Sequence, residues 1–255
     1  MAYSKRDGRP LEQIRPTKIV TGFHEFAEGS VLMSTGRTRV LVTASLDESV
    51  PDFLVGKGQG WLTAEYQMHP RANPKRREKR DGRERPLGGR SREIERLIGR
   101  SLRAAVDLAA LGERSILIDC DVIEADGGTR TASITGGFIA LALALAKLNK
   151  KGALRRPVLR DQVAAVSVGH VDDALALDLC YAEDSTARVD LNLIATAAGS
   201  IVEIQGTAEG SAVPRSEWND MIDLALSGVQ QLARSQSEAL TAAGVELAEL
   251  MQKKA

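Results

Sequence analysis

The chain has 255 residues, enough to bury a substantial core as one large domain or two small ones. Its 43% apolar and 27% charged residues are typical of a soluble globular protein, and residues 1–7 lack the apolar core of a signal peptide, so we expect a cytoplasmic protein. No uninterrupted apolar stretch reaches the roughly 18 residues of a membrane span. The formal net charge of zero gives no indication of nucleic-acid binding by the molecule as a whole.

The first third of the chain has the pattern of an antiparallel meander. Residues 30–34 and 39–45 are short β-like runs, and the turn sequence at residues 35–38 predicts a hairpin between them. A further short apolar patch covers residues 60–66.

Residues 71–90 form a concentrated basic segment in this otherwise balanced chain. Its prolines and glycines, and its lack of apolar periodicity, predict a mobile loop that could neutralise a phosphodiester backbone without reading its sequence. The alternative is a solvated loop that only aids solubility. The candidate residues for binding a nucleic-acid backbone are Arg71, Lys75, Arg76, Arg77, Lys79 and Arg80.

The middle of the chain predicts a helix, a strand and a second helix. Apolar residues at helical spacing predict a helix over residues 91–111, with Gly112 as its stop. Residues 115–123 have the alternation and β-branched content of a strand. The Ala-, Leu- and Ile-rich run from Thr131 to about Lys150 predicts a buried helix.

A Gly-rich corner, residues 126–130, joins that strand to that helix. Backbone N–H groups and the helix dipole attract an anion to the start of a helix, and Thr129 and Arg130 add donors that suit a phosphate. The alternative is a turn in which Gly127 and Gly128 only supply permissive backbone angles. These five residues by themselves leave both interpretations open.

The second half repeats the pattern of strands followed by a helix. Residues 164–171, 174–181, 188–196 and 201–207 are predicted strands, with turns at 172–173 and 198–200, and residues 216–252 are a predicted helix. Cys120 and Cys180 lie in strand-like runs and are expected to be small buried side chains. The whole pattern predicts an α+β fold.

Asp184 and Asp190 are candidate catalytic residues. On one extended strand they would lie about 20 Å apart and could not share a site. A turn at residues 184–186 would bring them close, and two close carboxylates can hold a divalent cation such as Mg²⁺, or one can act as a general acid. The alternatives are ordinary turn chemistry at Asp184 and a surface pair between Asp190 and Arg188.

Other catalytic motifs are absent from the sequence. It contains no P-loop, no dinucleotide-binding fingerprint and no Gly-x-Ser-x-Gly elbow. His24, His69 and His170 are scattered, so we do not expect a zinc site.

Several separated blocks resemble the ribonuclease PH family, phosphate-dependent 3′→5′ exoribonucleases that trim precursor tRNA. The most specific block covers residues 119–136, around the Gly-rich corner. The other blocks are residues 7–9, 14–16, 27–32, 58–66, 89–98, 183–185, 190–192 and 203–210. The resemblance therefore runs almost from end to end.

The resemblance implies a mixed α+β fold of the ribonuclease PH type, similar to domain 2 of ribosomal protein S5, in one compact domain over residues 1–255. It implies a hexameric ring built as a trimer of dimers. It also implies phosphorolysis, in which inorganic phosphate removes nucleotides beyond the CCA end of precursor tRNA as nucleoside diphosphates. Two alternatives stay open: a ring that trims unstructured or ribosomal RNA more broadly, and a non-catalytic RNA-binding ring subunit.

The resemblance also implies roles for particular residues. Inorganic phosphate is expected to bind to Arg90, Gly128, Thr129 and Arg130. Asp184 and Asp190 are expected to act as an acid, to hold Mg²⁺, or both. The segment from about residue 71 to 86 varies within the family, so the resemblance implies no role for its individual basic residues.

Overall fold

Two β-sheets, one in each half of the chain, form the framework of the protein. The structure, a computed structural model, describes residues 6, 8–74, 77 and 88–253. Its strands are β1 (Thr17–Thr21), β2 (Gly29–Thr35), β3 (Thr38–Asp47), β4 (Trp61–Met68), β5 (Ser115–Glu124), β6 (Val163–Val171), β7 (Ala174–Leu177), β8 (Val189–Thr196) and β9 (Ile201–Ala208). Its α-helices are α1 (Gly89–Ala104), α2 (Leu108–Leu111), α3 (Thr129–Lys150), α4 (Tyr181–Asp184), α5 (Arg215–Ala242) and α6 (Leu247–Leu250).

The N-terminal sheet has the strand order β1-β2-β3-β5-β4, and the second sheet has the order β7-β6-β8-β9. The predicted hairpin at residues 35–38 is confirmed, because β2 and β3 pair in antiparallel register. The apolar patch at residues 60–66 lies in β4, which is not part of a meander. Strand β4 lies at the edge of the sheet and pairs in parallel with β5. Two parallel strands need a crossover connection between them, and α1 is part of that connection.

Helix α3 lies at the centre of the fold, packed against β2 and β3 of one sheet and β6 of the other. The strand and the helix approach closely, since a Cβ on Gly29 would lie 1.8 Å from the carbonyl oxygen of Ala140. By length and composition α3 could cross a membrane. However, 89% of its most apolar stretch is buried inside the protein, as in the core helix of a soluble protein. The predicted buried helix is confirmed.

The second sheet is covered by α5, which packs against β6 and β8. Buried apolar residues from both sheets and from α3 and α5 form one contiguous cluster, which includes Val42, Phe138, Val166 and Val229. The two sheets therefore share one hydrophobic core with α3 and α5.

The helix predicted over residues 91–111 is wrong in its second part. Helix α1 ends at Ala104, because Val106 pairs with Leu159 in an isolated β-bridge. Asp107 then caps α2, where its side chain accepts hydrogen bonds from two N–H groups. Gly112, with φ of 72°, ends α2 rather than α1.

The strand predicted over residues 174–181 is also too long. Strand β7 ends at Leu177, and Asp178 takes a left-handed backbone with φ of 55°. Tyr181 begins α4, so Cys180 precedes a helix and is half-buried, whereas Cys120 is buried in β5 as predicted. The C-terminal helix likewise ends at Ala242, before a turn that leads to α6.

Candidate active site

The Gly-rich corner requires glycine at two consecutive positions. Gly127 and Gly128 have φ angles of 74° and 63°, in the left-handed region. A Cβ on Gly127 would also lie 2.7 Å from the carbonyl oxygen of Leu179. Gly128 caps α3, whose first residues are Thr129 and Arg130, so the unpaired N–H groups of the first turn of α3 lie at this corner. The local geometry suits an anion.

Arg15, a buried residue of the N-terminal segment, anchors the corner. Its Nη1 donates to the carbonyl oxygen of Asp126 at 2.7 Å, and its Nη2 lies 2.7 Å from Oδ1 of Asp178. Burial by itself lowers the pKa of Arg15, but the opposing effects, of which the charge and hydrogen bond of Asp178 are the largest and the charge of Asp126 the next, together raise this pKa overall. Thr38 adds a second anchor, since its Oγ1 donates to the carbonyl oxygen of Gly127 at 2.6 Å.

Tyr66 of β4 contacts the first residue of α3. Its hydroxyl oxygen lies 2.8 Å from Oγ1 of Thr129, and Tyr66 is 2% exposed. Burial raises the pKa of Tyr66 above its ordinary value of 10.0, so its phenol is protonated at neutral pH and can donate to Thr129. A Thr129 hydroxyl that accepts this bond keeps its own proton for an anion.

Arg90 and Arg130 lie at the starts of two different helices. Arg90 is exposed in the first turn of α1, and Arg130 is the half-buried second residue of α3. Nη1 of Arg130 donates to Oε1 of Gln205 at 2.8 Å. Both guanidinium charges oppose the rise in the pKa of Asp184 and of Asp190, which places each arginine within electrostatic reach of the two aspartates.

The two aspartates come together through a turn. Asp184 ends α4 and Asp190 is the second residue of β8, so they do not lie on one extended strand. Burial, followed by repulsion from Asp184, raises the pKa of Asp190 from 3.8 to about 6. Burial also raises the pKa of Asp184. The chain therefore turns between the two aspartates and does not hold them apart on one extended strand.

Arg188, the alternative surface partner of Asp190, is bonded elsewhere. Its Nη2 lies 2.5 Å from Oε1 of Glu217, and its Nε donates to Nδ1 of His170 at 2.9 Å. Asp190 is instead approached by Asn192, whose Nδ2 lies 3.3 Å from Oδ2.

Helix α4, which carries Asp184, is held by the N-terminal segment. Nη1 of Arg6 lies 2.7 Å from Oε1 of Glu183, and Nη2 of Arg9 lies 3.6 Å from Oε2. Glu183 is 1% exposed, and its Oε2 also accepts the backbone N–H of Cys180 at 2.9 Å. A helix of four residues has little stability of its own, so these contacts fix the position of Asp184.

A metal at this site would have two protein carboxylates. Within the described part of the chain, no group of three or more His, Cys, Asp or Glu side chains is arranged to hold a metal ion. Mg²⁺ commonly binds one or two carboxylates and completes its shell with water and substrate phosphates. The pair Asp184 and Asp190 therefore fits Mg²⁺ better than an ion that needs a full protein cage.

The basic segment is described in part. Arg71 follows β4 and is exposed, and Arg77 is exposed as well. The other four candidate RNA-binding residues, Lys75, Arg76, Lys79 and Arg80, lie outside the described residues.

Sequence reasoning assigned no role to Arg15, Tyr66 or Gln205. All three lie in blocks that resemble the ribonuclease PH family, and this was the one signal that could have directed attention to them. Their contacts with the corner join residues between 63 and 111 positions apart, so no local pattern reveals them.

Two family models match most of the chain. Residues 13–147 match the model described as 3′ exoribonuclease family, domain 1, and residues 161–228 match the model described as 3′ exoribonuclease family, domain 2. The chain therefore belongs to the 3′ exoribonuclease family.

Individual relatives agree with the family models. A protein named ribonuclease PH from Crocosphaera subtropica is 52% identical over 243 residues, which cover 95% of this chain and 100% of the relative. The crystal structure of Rrp46 from rice (Oryza sativa) has a TM-score of 0.73 at 17% identity and covers 92% of this chain and 99% of its own. An Archaeoglobus fulgidus exosome with RNA bound to the active site has a TM-score of 0.72 at 22% identity, covering 90% and 91%. The predicted family resemblance and the α+β fold of the ribonuclease PH type are confirmed.

Proposed function

We propose that this chain shortens RNA from its 3′ end, with inorganic phosphate bound at the Gly-rich corner as the nucleophile. The predicted enzyme class, a phosphorolytic 3′ exoribonuclease, is confirmed by the full-length relationship to ribonuclease PH and by both family models. The observation that carries the assignment of the site is the geometry at the start of α3, where Gly127 and Gly128 take left-handed backbone angles and Arg130 lies in the first turn. The charges of Arg90 and Arg130 also act on Asp184 and Asp190. An anion site beside a carboxylate pair suits a reaction in which a phosphate attacks a phosphodiester.

The proposed phosphate ligands are Arg90, Gly128, Thr129 and Arg130. The start of α3 supplies fixed N–H donors, the Thr129 hydroxyl supplies another, and Arg130 supplies a planar fork. The two arginines offset the repulsion between the attacking phosphate and the RNA phosphate. They also stabilise the charge of the transition state, while the fixed donors hold the nucleophile in line.

In the proposed step, a phosphate oxygen forms a bond to the terminal phosphorus while the bond from that phosphorus to the 3′ oxygen of the preceding nucleotide breaks. The products are a nucleoside diphosphate and an RNA shortened by one nucleotide, whose 3′ oxygen takes up a proton. Asp190, with a pKa of about 6, is suited to supply that proton as a general acid. The negative charge of Asp184 helps to maintain this pKa.

Binding of Mg²⁺ is the alternative role of the same aspartates. A bound cation would supply positive charge beside the reacting phosphates. The direction of the pH–rate profile distinguishes the two roles. An acid must be protonated, so activity would fall as pH rises through about 6, whereas a metal ligand must be ionised, so activity would rise over the same range.

For the substrate we propose precursor tRNA with nucleotides beyond its CCA end. The basic segment, residues 71–90, would contact the RNA body through its backbone phosphates, which favours selection by shape rather than sequence. We further propose a cytoplasmic homohexamer, a trimer of dimers, and the similarity to exosome structures favours assembly into an oligomer. Broader trimming of ribosomal RNA is the alternative substrate range.

The test is to incubate the purified protein with a tRNA that carries extra 3′ nucleotides, with and without inorganic phosphate, and to identify the released nucleotides. We expect nucleoside diphosphates, and only when phosphate is present. Nucleoside monophosphates, or trimming without phosphate, would contradict phosphorolysis.

Two variants connect the test to the site. Asp184→Ala is expected to abolish turnover while the protein stays folded, and retention of near-normal turnover would contradict its role. Asp223→Ala, which removes an exposed carboxylate on α5, is the matched control and should retain full activity. A non-catalytic RNA-binding subunit would release no nucleotide in any of these reactions.

A further inference from the structure

Gln205 lies between Arg130 and two carboxylates. Its Oε1 accepts a hydrogen bond from Nη1 of Arg130 at 2.8 Å. Its Nε2 faces Oε1 of Glu203 at 3.2 Å and Oε1 of Glu93 at 3.5 Å. These contacts join the N-terminal parts of α1 and α3 to strand β9.

The orientation of the Gln205 amide follows from these partners. An amide nitrogen donates and an amide oxygen accepts, so the nitrogen belongs beside the two carboxylates and the oxygen beside the guanidinium. The opposite orientation would place NH₂ against Arg130 and the oxygen against two negative charges. Glu203 is itself held by Arg100, whose Nη2 lies 3.0 Å from the same Oε1.

A neutral acceptor has a particular advantage next to Arg130. The amide oxygen orients the guanidinium but does not neutralise its charge. It occupies one of the five N–H donors of Arg130, so the others remain for an anion. Glu93, whose Oε1 lies 3.8 Å from Nη1 of Arg130, is close enough to form an ion pair with it. The Glu93 side chain is 56% exposed, so the pair is weak, and Gln205 bonds to the same Oε1.

We propose that Gln205 is a positioning residue for inorganic phosphate. It holds Arg130 in the orientation that receives phosphate, and its amide N–H groups bind the carboxylates of Glu93 and Glu203, so that these compete less with phosphate for Arg130. The register of β8 and β9 supports this placement, because Gln205 pairs with Asn192, two residues from Asp190. The inference rests on the proposed role of Arg130 as a phosphate ligand.

The test compares two substitutions of similar size. Gln205→Glu keeps the shape and adds a negative charge beside Arg130, so we expect the KM for phosphate to rise at least about tenfold. Gln205→Met keeps the bulk and removes the hydrogen bonds, so a smaller rise of about twofold to fivefold is expected. In both variants kcat and the KM for RNA should change less than twofold. Titration calorimetry with inorganic phosphate alone should rank the affinities in the same way, with the original protein binding most tightly, Gln205→Met more weakly and Gln205→Glu most weakly.

Matched controls exclude a general structural effect. Gln230→Glu makes the same change at an exposed position of α5 and should leave the KM for phosphate unaltered. If Gln205→Glu does not fold, Gln205→Met still tests the inference, since it adds no charge. Equal effects of Met and Glu, a KM for phosphate within twofold of the original, or a loss confined to kcat would overturn the proposal.

Failure of this inference is distinguishable from failure of the proposed function. Arg130→Ala measured in the same assay should raise the KM for phosphate sharply and leave RNA binding nearly intact. If Arg130→Ala raises it but Gln205→Glu does not, only the role of Gln205 is wrong. If neither variant affects the KM for phosphate, the phosphate site itself is misassigned.

Discussion

Arg15 and Asp178 form a buried ion pair that connects the N-terminal segment to the Gly-rich corner. Nη2 of Arg15 lies 2.7 Å from Oδ1 of Asp178, and the backbone N–H of Arg15 donates to Oδ2 at 2.8 Å. The two side chains are 5% and 4% exposed. Because Arg15 also bonds to the carbonyl oxygen of Asp126, the pair fixes the loop that leads into α3. The position of the proposed phosphate site therefore depends on a residue more than 100 positions away in the chain.

We expect Asp178→Asn to destabilise the protein by about 3 kcal/mol, because it leaves the Arg15 charge buried without its counter-charge. Asn is the appropriate replacement, since Asp178 has a left-handed φ of 55°, which Asn tolerates. Urea unfolding measures the change. The control is Glu48→Gln, which breaks a pair with Arg114 whose glutamate is 75% exposed and should cost less than about 1 kcal/mol. Similar costs for the two variants would show that the Arg15 pair has no special importance.

We expect Tyr66→Phe to raise the KM for phosphate about twofold to tenfold with little change in kcat, because one hydrogen bond to the Thr129 hydroxyl is lost. Steady-state phosphorolysis at varied phosphate measures the effect. Thr129→Val removes the other partner, and the double variant should be no worse than Thr129→Val alone if the tyrosine acts through this hydroxyl. Fully additive effects would show that Tyr66 acts by another route.

We expect Asp190→Asn to be more stable than the original protein at pH 8, by at most about 3 kcal/mol. The pKa of Asp190 is raised from 3.8 to about 6, so its ionised form is disfavoured in the folded state and costs stability above pH 6. The advantage of the variant should shrink as pH falls from about 6 to 4, where the native carboxyl takes up its proton. Thermal unfolding without phosphate or Mg²⁺ measures it. An advantage independent of pH would contradict the shift.

We expect the triple variant Lys75→Ala, Arg76→Ala and Arg77→Ala to bind RNA more weakly and to reduce the slope of log affinity against log salt by about 2 to 3. The matched control neutralises Lys150, Lys151 and Arg155, which are exposed near the end of α3 away from the Gly-rich corner. Helix α3 has 22 residues, so its two ends lie roughly 30 Å apart. Filter binding at several salt concentrations compares the two. An equal reduction in both would assign the effect to net charge alone.

The local elements of the fold were largely predictable. The hairpin at residues 35–38, the strand β5 and the helix α3 follow from alternation, turn residues and apolar content, which are properties of neighbouring residues. The errors arose where a distant residue decided the outcome. Val106 leaves the helix to pair with Leu159, and β7 ends where Asp178 bonds to Arg15.

By itself, the sequence determined the class of fold, the Gly-rich corner and the resemblance to a family of phosphate-dependent exoribonucleases. It also indicated the residues of both parts of the proposed site, namely the corner and the two aspartates. Only the tertiary structure decided that Asp184 and Asp190 share one environment, and that Arg15, Tyr66 and Gln205 contact the corner. The physical reason is that these relationships arise from the packing of two sheets against α3. Such packing brings together side chains that no helical or strand period relates.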